Sequence, residues 1–475
     1  MRLKALDLEA LNDFEDCEIS DIAFRVEDVK KGSLFFCLRG VNFDGHDFAE
    51  EAFKRGAAAC VCEKNVKEGI SVLVKNSRRQ LALSCSAFYS HPCRKLKLIA
   101  VTGTNGKTTT TYIIKSILES AGHKVGLIGT NCVMIGDEKQ AAKLTTPDPT
   151  DLHKIFADMA DRKVEYVVME ASAHALYLHK LDGIVFKVAA FTNLSQDHLD
   201  FFGCMEKYGD AKKRLFASSM SEKSVVNVDD EFGRQLALEC DNKLITYGCG
   251  NPSDVFAIDL TMSAGGLEYY LNSFDDVAGV KFNLPGRFNM YNTLCAAAVC
   301  AALDIPVKNV VKGIRKVTKI DGRFNIIGTS RGSVIIDFAH TPDGLKNILS
   351  SIREFSSGRI ITVFGCGGDR DAAKRPLMGA VVGSLSDLCV VTSDNPRSEN
   401  PDKIIDDVVK GIVGKNYICI TDRRQAVRQA LRESKAGDIV LIAGKGAEKY
   451  QEINGVKHEY NDERFVMQLL EEDSL

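Results

Sequence analysis

The 475-residue sequence lacks the features that mark several classes of protein. Its formal net charge is −3, so nothing indicates a general basic surface for nucleic acid. No uncharged apolar stretch approaches the length that crosses a membrane. The first residues carry carboxylates such as Asp7, Glu9 and Asp13, where a secretion signal needs an apolar run. These absences predict a cytoplasmic protein that binds neither nucleic acid nor membranes.

Zinc-site spacing is also missing, although the chain has 15 cysteines. The cysteines are scattered, and several lie inside apolar runs such as 57–62 and 388–391. A zinc site needs paired ligands at short, regular spacings. The pattern therefore indicates reduced, mostly buried thiols in a cytosolic enzyme.

The sequence does contain enough apolar material for more than one core, with 45% hydrophobic and 26% charged residues. A chain of this length exceeds what one core usually serves. Breaks in the pattern, such as His91-Pro92, predict three α/β domains at residues 1–92, 93–320 and 321–475.

Continuous apolar runs alternate with helical patterns in the second and third sections. The runs at 96–101 and 166–169 are typical of a mostly parallel sheet covered on both faces. The runs at 360–364, 388–392 and 439–443 predict a doubly wound, Rossmann-like domain. Polar and glycine-rich residues follow these runs at once, so ligand-binding groups are expected at the carboxyl ends of the strands.

The strongest motif is a phosphate-binding loop, Val-Thr-Gly-Thr-Asn-Gly-Lys-Thr-Thr-Thr, at residues 101–110. Its glycines let backbone amides turn towards phosphate oxygens, and the following helix adds positive potential. Lys107 would neutralise the β- and γ-phosphates, and the Thr108 hydroxyl would bind Mg²⁺. The alternative is a glycine-rich turn with a surface lysine. The predicted ATP-binding residues of the loop are Gly103, Thr104, Asn105, Gly106, Lys107, Thr108 and Thr109.

The form Gly-Thr-Asn-Gly-Lys-Thr resembles the loop of the Mur ligases and of their relatives that glutamylate folate. The resemblance covers nearly the whole chain. It implies a P-loop ATPase-like central domain, an N-terminal domain that binds UDP-sugar, and a C-terminal domain that binds an amino acid. It also implies ATP- and Mg²⁺-dependent formation of an amide bond through an acyl phosphate. We expect a monomer whose partners are small-molecule substrates.

Metal and catalytic residues follow from the same resemblance. Glu170 ends an apolar run, and the family uses residues at Glu170 and His198 as magnesium ligands. In the family, the lysine matching Lys212 is carbamylated by CO₂, so that it can bind a second Mg²⁺. Lys107, Lys212 and His198 are the predicted catalytic residues, with Thr108 a further metal ligand.

Simpler interpretations of two of these residues stay open. His198 would merely cap a helix or pair with Asp200. A Lys-Lys-Arg run such as 212–214 is usually the solvated face of a helix.

Further nucleotide contacts are implied at Asn292, Arg323, Asp337 and His340. Asn292 lies in the signature Leu-Pro-Gly-Arg-Phe-Asn-Met-Tyr-Asn at 284–292 and is expected at the base, because an amide both donates and accepts hydrogen bonds. Asn289 is one helical turn earlier, where helix capping is the alternative role.

The string Asp394-Asn395-Pro396-Arg397 marks the branch of the family that uses meso-diaminopimelate. A guanidinium can hold the distal carboxylate of diaminopimelate bidentately, and it would repel the ammonium of lysine. A turn that initiates a helix at Pro401 is the alternative interpretation. The predicted diaminopimelate-binding residues are Arg370, Asp394, Asn395, Arg397, Gly444 and Glu448.

The UDP-MurNAc-L-Ala-D-Glu acceptor is expected at Asn42, Thr145, Thr146, Ser172 and Lys180. Lys180 replaces an arginine of the family, and the family's Asp-Ser-Arg is missing where Val26 and Glu27 stand. Elsewhere Ala447 replaces a histidine, Phe338 a tyrosine and Asn325 a glutamate.

The departures at the UDP-sugar end leave other functions open. One is a Mur-like ligase that takes lysine, another amino acid or another acceptor. Others, of a different class, are a nucleotide-dependent switch or a scaffold without ligase activity.

Overall fold

The structure, a computed structural model, describes residues 1–40 and 43–473 and contains three large sheets, one in each predicted section. The three-domain α/β architecture is therefore confirmed. The boundaries after residues 92 and 320 stay a prediction.

The first section contains a four-stranded parallel sheet in the order β1-β2-β3-β4. Apolar side chains pack on both of its faces. Its strands and helices are β1 Asp21–Ala23, β2 Ser33–Phe36, α1 Ala49–Lys54, β3 Ala59–Cys62, β4 Ile70–Leu73 and α2 Ser77–Phe88.

The second section is built on an eleven-stranded sheet in the order β15-β14-β13-β12-β11-β10-β5-β9-β6-β7-β8. Its strands are β5 Lys97–Thr102, β6 Val125–Ile128, β7 Cys132–Ile135, β8 Glu138–Ala141, β9 Tyr166–Glu170, β10 Val188–Phe191, β11 Lys223–Asn227, β12 Lys243–Gly248, β13 Val255–Ser263, β14 Gly266–Ser273 and β15 Asp276–Phe282. Its helices are α3 Lys107–Ser120, α4 Pro149–Asp161, α5 Ala173–Tyr177, α6 Leu199–Phe202, α7 Met205–Lys213, α8 Glu231–Glu239, α9 Arg287–Ala302 and α10 Val307–Lys316.

Strand β5 illustrates why the middle of this sheet is apolar throughout. Ile99 and Val101 enter the core on one side, whereas Leu98 and Ala100 enter the core on the other. Successive side chains of a strand point to opposite faces, so a sheet covered twice needs apolar residues at every position. Seven strands from β13 to β6 are parallel, and antiparallel hairpins extend both edges.

The third section has a six-stranded sheet in the order β16-β17-β21-β18-β19-β20, parallel except at β16, and a separate hairpin of β22 and β23. Its strands are β16 Asn325–Gly328, β17 Gly332–Asp337, β18 Ile360–Phe364, β19 Leu388–Val391, β20 Tyr417–Cys419, β21 Asp438–Ala443, β22 Tyr450–Ile453 and β23 Val456–Glu459. Its helices are α11 Pro342–Phe355, α12 Lys374–Leu385, α13 Pro401–Val409, α14 Arg423–Glu433 and α15 Asp462–Asp473. Within the described ranges, none of the helices combines the length and the apolar character needed to cross a membrane.

Candidate functional site

A cleft of 1820 Å³ lies between the second and third sections. Its walls come from the carboxyl ends of β5, β9 and β10 on one side and of β17, β18, β19 and β21 on the other. In parallel α/β sheets this edge is where ligands bind. The predicted phosphate and amino-acid residues therefore face one common space.

The phosphate-binding loop joins β5 to α3 through two glycines in left-handed conformations. Gly103 has φ 144° and Gly106 has φ 88°. A Cβ on Gly106 would come within 2.4 Å of the Asn292 amide oxygen, so the loop packs directly on α9. Thr192, at the end of the neighbouring β10, donates from its hydroxyl to the Asn105 carbonyl over 2.6 Å. Neighbouring strands thus hold the loop in place.

Lys107 begins α3 with its ammonium folded back on the loop. Its Nζ donates to the carbonyls of Gly103 (2.8 Å) and Thr104 (2.9 Å). Burial lowers the pKa of Lys107. A phosphate reaching this loop would offer the ammonium stronger, charged acceptors than those two carbonyls.

Thr108 connects three parts of the chain through its hydroxyl. Its Oγ1 donates to Glu170 Oε1 over 3.0 Å and accepts from Arg323 Nη2 over 2.9 Å. Glu170 also accepts from the backbone N and the hydroxyl of Thr130. The Arg323 guanidinium lies over the Phe338 ring, 4.6 Å from its centre. An arginine of the third section therefore reaches the phosphate loop of the second.

The side chains near this loop supply some, but not all, of the ligands that a magnesium ion needs. Thr108, Glu170 and His198 line the same cleft, offering a hydroxyl, a carboxylate and an imidazole. Among residues 1–40 and 43–473, no three His, Cys, Asp or Glu side chains cluster as a complete metal site. Mg²⁺ is commonly held by one or two carboxylates together with substrate phosphates and water. The residues present fit that arrangement.

His198 precedes α6 in a left-handed conformation, with φ 56°. Its ring forms no helix-capping bond and lies 3.4 Å from Asp197 rather than pairing with Asp200. The His174 ring is its aromatic neighbour at 4.6 Å between centres. Burial lowers the pKa of His198 to about 3, which leaves the neutral imidazole that metal binding requires.

Asp197 is a site residue that the motifs did not single out. His340 Nε2 lies 3.6 Å and Lys374 Nζ 3.3 Å from its carboxylate, and both belong to the third section. Burial alone would raise the pKa of Asp197, but the hydrogen bond from His340 and the charge of Lys374 hold it well below its usual range. In the sequence, only the position of Asp197 beside His198 indicated a role in the site. Its partners His340 and Lys374 lie more than 140 residues further along the chain.

Lys212 does not lie on a solvated face. Its side chain on α7 is buried, and its Nζ is 4.2 Å from the centre of the Tyr208 ring. No carboxylate of the described chain lies within ion-pair distance of it. Burial lowers the pKa of Lys212 well below its usual value. The adjacent Lys213 points outward and pairs with Glu239, so only the second lysine of the run fits the interpretation as a solvated face.

Asn289 and Asn292 form a pair on α9. Asn289 donates to the Pro285 carbonyl over 2.7 Å and accepts from Asn292 Nδ2 over 3.0 Å. Asn292 Oδ1 faces Gly106 and accepts from Thr110 at 3.4 Å. Asn289 thus orients Asn292, whose amide lies against the phosphate loop. Contact of Asn292 with the base stays a prediction.

Asp337 and His340 follow β17. Burial raises the pKa of Asp337, whose carboxylate accepts from the backbone N of Phe324 (2.8 Å) and Ala339 (2.7 Å). His340 donates from Nδ1 to the Phe338 carbonyl, which leaves Nε2 towards Asp197. Asp337 therefore shapes the turn that carries His340 into the cleft.

Three of the five predicted acceptor residues, Thr145, Thr146 and Ser172, lie beside Glu170. Thr146 donates from its hydroxyl to the Glu170 carbonyl at 2.8 Å and accepts from the backbone N of Ser172 at 3.0 Å. Thr145 bonds Thr130 through their hydroxyls at 3.1 Å. Lys180 is paired with Asp148 at 2.7 Å and does not line the cleft. Asn42 lies outside the described residues.

Arg370 and Arg397 flank Gly367 at the cleft wall. The Arg397 Nη1 donates to the Gly368 carbonyl at 2.6 Å, and its Nε lies 3.6 Å from Glu452. Arg370 is exposed, and it donates from Nη1 to the Asp369 carbonyl. Both arginines line the cleft beside Gly367, and a guanidinium there can bind a carboxylate.

A carboxylate cluster lies next to these arginines. Asp394 and Glu448 come from the loops after β19 and β21, and Asn395 Nδ2 donates to Glu448 Oε2 at 3.0 Å. Lys445, a second residue that the motifs left unassigned, bonds all three side chains. Burial would raise the pKa of Asp394, but Lys445 and Arg423 keep it below its usual value. Gly444, with φ 110°, places its Cα beside Asp394.

Comparison with protein families matches most of the chain. Residues 19–84 match the model described as "Mur ligase family, catalytic domain", residues 101–300 the "Mur ligase middle domain", and residues 322–446 the "Mur ligase, glutamate ligase domain".

Similar curated proteins span nearly the same length. The chain is 43% identical over 461 residues to UDP-N-acetylmuramoyl-L-alanyl-D-glutamate--2,6-diaminopimelate ligase 1 of Clostridium acetobutylicum, covering 96% of this chain and 95% of that protein. It is 42% identical to the ligase of the same activity name from Clostridium tetani, covering 99% and 98%.

Solved structures agree with the fold. A structure titled as UDP-N-acetylmuramoyl-L-alanyl-D-glutamate--2,6-diaminopimelate ligase superposes with a TM-score of 0.69 at 31% identity, covering 96% of both chains. MurF from Acinetobacter baumannii has a TM-score of 0.66 at 18% identity, covering 96% of this chain and 94% of that one, and supports the fold alone.

Proposed function

The chain belongs to the Mur ligase family, and we propose that it joins an amine of meso-diaminopimelate to the D-glutamyl carboxylate of UDP-MurNAc-L-Ala-D-Glu, a step of peptidoglycan precursor synthesis. It is an ATP-dependent ligase that uses Mg²⁺. The proposed domains are 1–92 for UDP-sugar, 93–320 for ATP and 321–475 for the amino acid.

The reaction has two steps, activation of the acceptor carboxylate and attack by the amine. An acceptor carboxylate oxygen attacks the γ-phosphorus of ATP, the bond to the β–γ bridging oxygen breaks, and ADP leaves. The neutral amine then attacks the acyl carbon to give a tetrahedral intermediate, which expels inorganic phosphate and a proton. Most of the catalytic work is therefore placement of the reactants and stabilisation of phosphoryl charge.

The phosphate loop and its neighbours supply that stabilisation. Lys107 exchanges its two carbonyl partners for phosphate oxygens, and Arg323 lies 2.9 Å from the Thr108 hydroxyl at the same place. The loop amides from Gly103 to Thr109 complete the cradle. Asn292, Asp337 and His340 belong to the nucleotide side of the cleft.

Thr108, Glu170 and His198 are the proposed magnesium ligands, and bound Mg²⁺ would neutralise charge on the transferring phosphoryl group. Lys212 contributes as a carbamate. Its uncharged Nζ adds to the carbon of CO₂ and releases one proton, which turns a buried amine into an anion. The buried side chain without a carboxylate partner supports this step, because an ion-paired ammonium has no lone pair to offer.

The third section supports diaminopimelate as the amino acid. Arg397 and Arg370 border the place for its distal carboxylate, and Asp394, Asn395, Gly444 and Glu448 surround the place for its distal amine. Lysine lacks the distal carboxylate, so its binding would leave the two guanidiniums without a carboxylate partner close to its ammonium. Thr145, Thr146, Ser172, Lys180 and Asn42 are the proposed acceptor contacts.

One observation carries the proposal: Lys107, Glu170 and Arg397 all face a single cleft formed by two sections of the chain. A nucleotide site and an amino-acid site at separate surfaces would fit a switch or a scaffold better. A shared cleft lets an activated carboxylate meet an amine without release into water.

A panel of amines tests the proposal directly. The purified chain is incubated with UDP-MurNAc-L-Ala-D-Glu, ATP and Mg²⁺ and with diaminopimelate, lysine or glutamate, and phosphate release is measured. Diaminopimelate is expected to give the highest kcat/KM. Preference for lysine would overturn the assignment of the amine, whereas no turnover with any amine would favour a scaffold.

A further inference from the structure

Lys445 lies at the bottom of the predicted amine site with its side chain fully buried. Its Nζ donates to Glu448 Oε2 (2.8 Å), Asn395 Oδ1 (2.9 Å) and Asp394 Oδ1 (3.2 Å). These three side chains are the ones that the proposed function gives to the distal amine of the substrate. A cation of the protein therefore already binds the groups that a substrate cation would need.

The bonds of Lys445 divide the oxygens of the two carboxylates. Lys445 takes Oδ1 of Asp394 and Oε2 of Glu448. In the part of the chain that the structure describes, no hydrogen bond reaches Asp394 Oδ2 or Glu448 Oε1. One oxygen of each carboxylate is therefore held, and one is left for a ligand.

Asn395 is fixed in one orientation by the same contacts. Its Oδ1 accepts from Lys445 and from the Glu452 backbone N at 2.9 Å, and its Nδ2 donates to Glu448 at 3.0 Å. Because Asn395 follows β19 and Glu448 follows β21, Lys445 adds a further link between two loops that the Asn395–Glu448 bond already joins.

The cluster of Asp394, Glu448 and Lys445 has one positive charge too few to be neutral. Asp394 and Glu448 contribute two negative charges and Lys445 one positive charge, which leaves one negative charge. The nearby Arg423 is neutralised by Asp462, 2.8 Å away and equally buried. One ammonium would bring the cluster to neutrality, and buried charges are stable only when they are paired in this way.

We infer that Lys445 is a positioning residue that makes the ligase selective for an amino acid with a distal ammonium. Lys445 does this by holding the Asp394 and Glu448 carboxylates with one oxygen of each directed to the substrate. The inference rests on the proposed function, because it concerns the distal amine of diaminopimelate. It adds a residue whose own side chain need not touch the substrate.

The test compares diaminopimelate with 2-aminopimelate, which keeps both carboxylates and lacks the distal amine. For the wild-type chain and Lys445→Met, kcat/KM is measured for each amino acid at saturating ATP and acceptor. The preference for diaminopimelate is the ratio of its kcat/KM to that of 2-aminopimelate. We expect this ratio to be at least about tenfold lower in the variant than in the wild type, because the Asp394 and Glu448 carboxylates are no longer held in place for the distal ammonium. The KM for ATP is expected to change less than about twofold, since the phosphate loop is untouched.

A merely structural role for Lys445 would reduce kcat/KM for both amino acids by the same factor and leave the preference unchanged, which would overturn the inference alone. A wild-type chain that uses neither amino acid would overturn the proposed function and this assignment with it.

Lys445→Met leaves Asp394 buried without its cation and can prevent folding. The variant Lys445→Met with Asp394→Asn removes both charges of that pair and supplies the second test. Asp394→Asn alone is the reference for this double variant, because Asp394 itself belongs to the amine site. We expect the preference of the double variant for diaminopimelate to fall below that of Asp394→Asn, since Lys445 also holds Asn395 and Glu448, and an equal preference in the two folded variants would overturn the inference. Arg359→Met is the matched control, because it removes an ion pair with Asp438 at the opposite end of the same sheet. Its preference is expected to equal that of the wild type.

Discussion

The Lys374 ammonium lies 3.3 Å from a carboxylate oxygen of Asp197, and both side chains are only 7% exposed. Asp197 belongs to the central section and Lys374 to the C-terminal section, so this buried ion pair crosses the catalytic cleft. His340 reaches the same carboxylate from the C-terminal side. The buried Asp197 carboxylate therefore links the two halves of the active site, in addition to the bond between Arg323 and Thr108.

Removing either partner of this pair is expected to slow turnover at least about tenfold, because an uncompensated buried charge costs about 3 kcal/mol. Asp197→Asn, Lys374→Met and the double variant form a cycle in which kcat is measured. The double variant should lose little more than one single variant, with a coupling energy of about 1 kcal/mol or more. Strictly additive losses would contradict a direct interaction. Lys346→Met, at an exposed position of α11, should behave like wild type.

Arg397 is predicted to recognise the distal carboxylate of diaminopimelate. Arg397→Ala should raise the KM for diaminopimelate about 100-fold, because a charge-assisted bidentate contact contributes about 3 kcal/mol. The KM for ATP should stay within about twofold. Steady-state kinetics with each substrate varied in turn measure both constants. Arg397→Lys keeps the charge without the planar fork and should recover only part of the loss; equal losses for both substrates would contradict the role.

The positions of the motifs were predictable because each follows an apolar run. Parallel strands end at one edge of a sheet, so the loops after β5 and β9 had to meet at an edge of the eleven-stranded sheet, and the loops after β18 and β19 at an edge of the six-stranded sheet. The antiparallel pairing of β13, β14 and β15 was not predicted, because the outer face of these strands is polar or half-exposed and gives no continuous apolar run.

The missed site residues share a different cause. Asp197 and Lys445 act through partners that only tertiary folding brings close. Lys445 stands between two glycines, and nothing in that sequence context indicates the three side chains that it binds. Lys212 and Lys213 have the same sequence context, yet the turn of α7 buries one and exposes the other. Only the packing of α7 separates them.

Because Lys212 is buried and the adjacent Lys213 is exposed, Lys213 is the matched control for Lys212. Lys212→Ala should abolish turnover, because neither the ammonium nor its carbamate remains, whereas Lys213→Ala should keep it. With ¹³C-labelled CO₂, a carbamate carbon signal should be present in the wild type and in Lys213→Ala and absent in Lys212→Ala. Undiminished activity of Lys212→Ala would remove the carbamate from the mechanism. Near-ultraviolet circular dichroism checks that the variant is folded.

His153 predicts a pH dependence of stability that is independent of the active site. The residue is buried on α4, and within the described residues neither ring nitrogen has a hydrogen-bond partner. Burial lowers the pKa of His153 to about 4 from its ordinary 6.5. Above pH 6.5 the ring is neutral in both the folded and the unfolded chain, so it contributes no pH dependence there. As the pH falls from 6.5 towards 4, the unfolded chain takes up the proton first and the folded state loses stability.

At pH 5 this penalty amounts to about 2 kcal/mol, since each unit of pKa difference corresponds to about 1.4 kcal/mol. His153→Leu removes the titrating group, so its melting temperature relative to wild type should be higher at pH 5 than at pH 7.5. Differential scanning calorimetry at both values measures the difference. His458→Leu, at an exposed position of β23, should show the same offset from wild type at both pH values. A constant offset for His153→Leu as well would mean that the ring is already solvated in the folded protein.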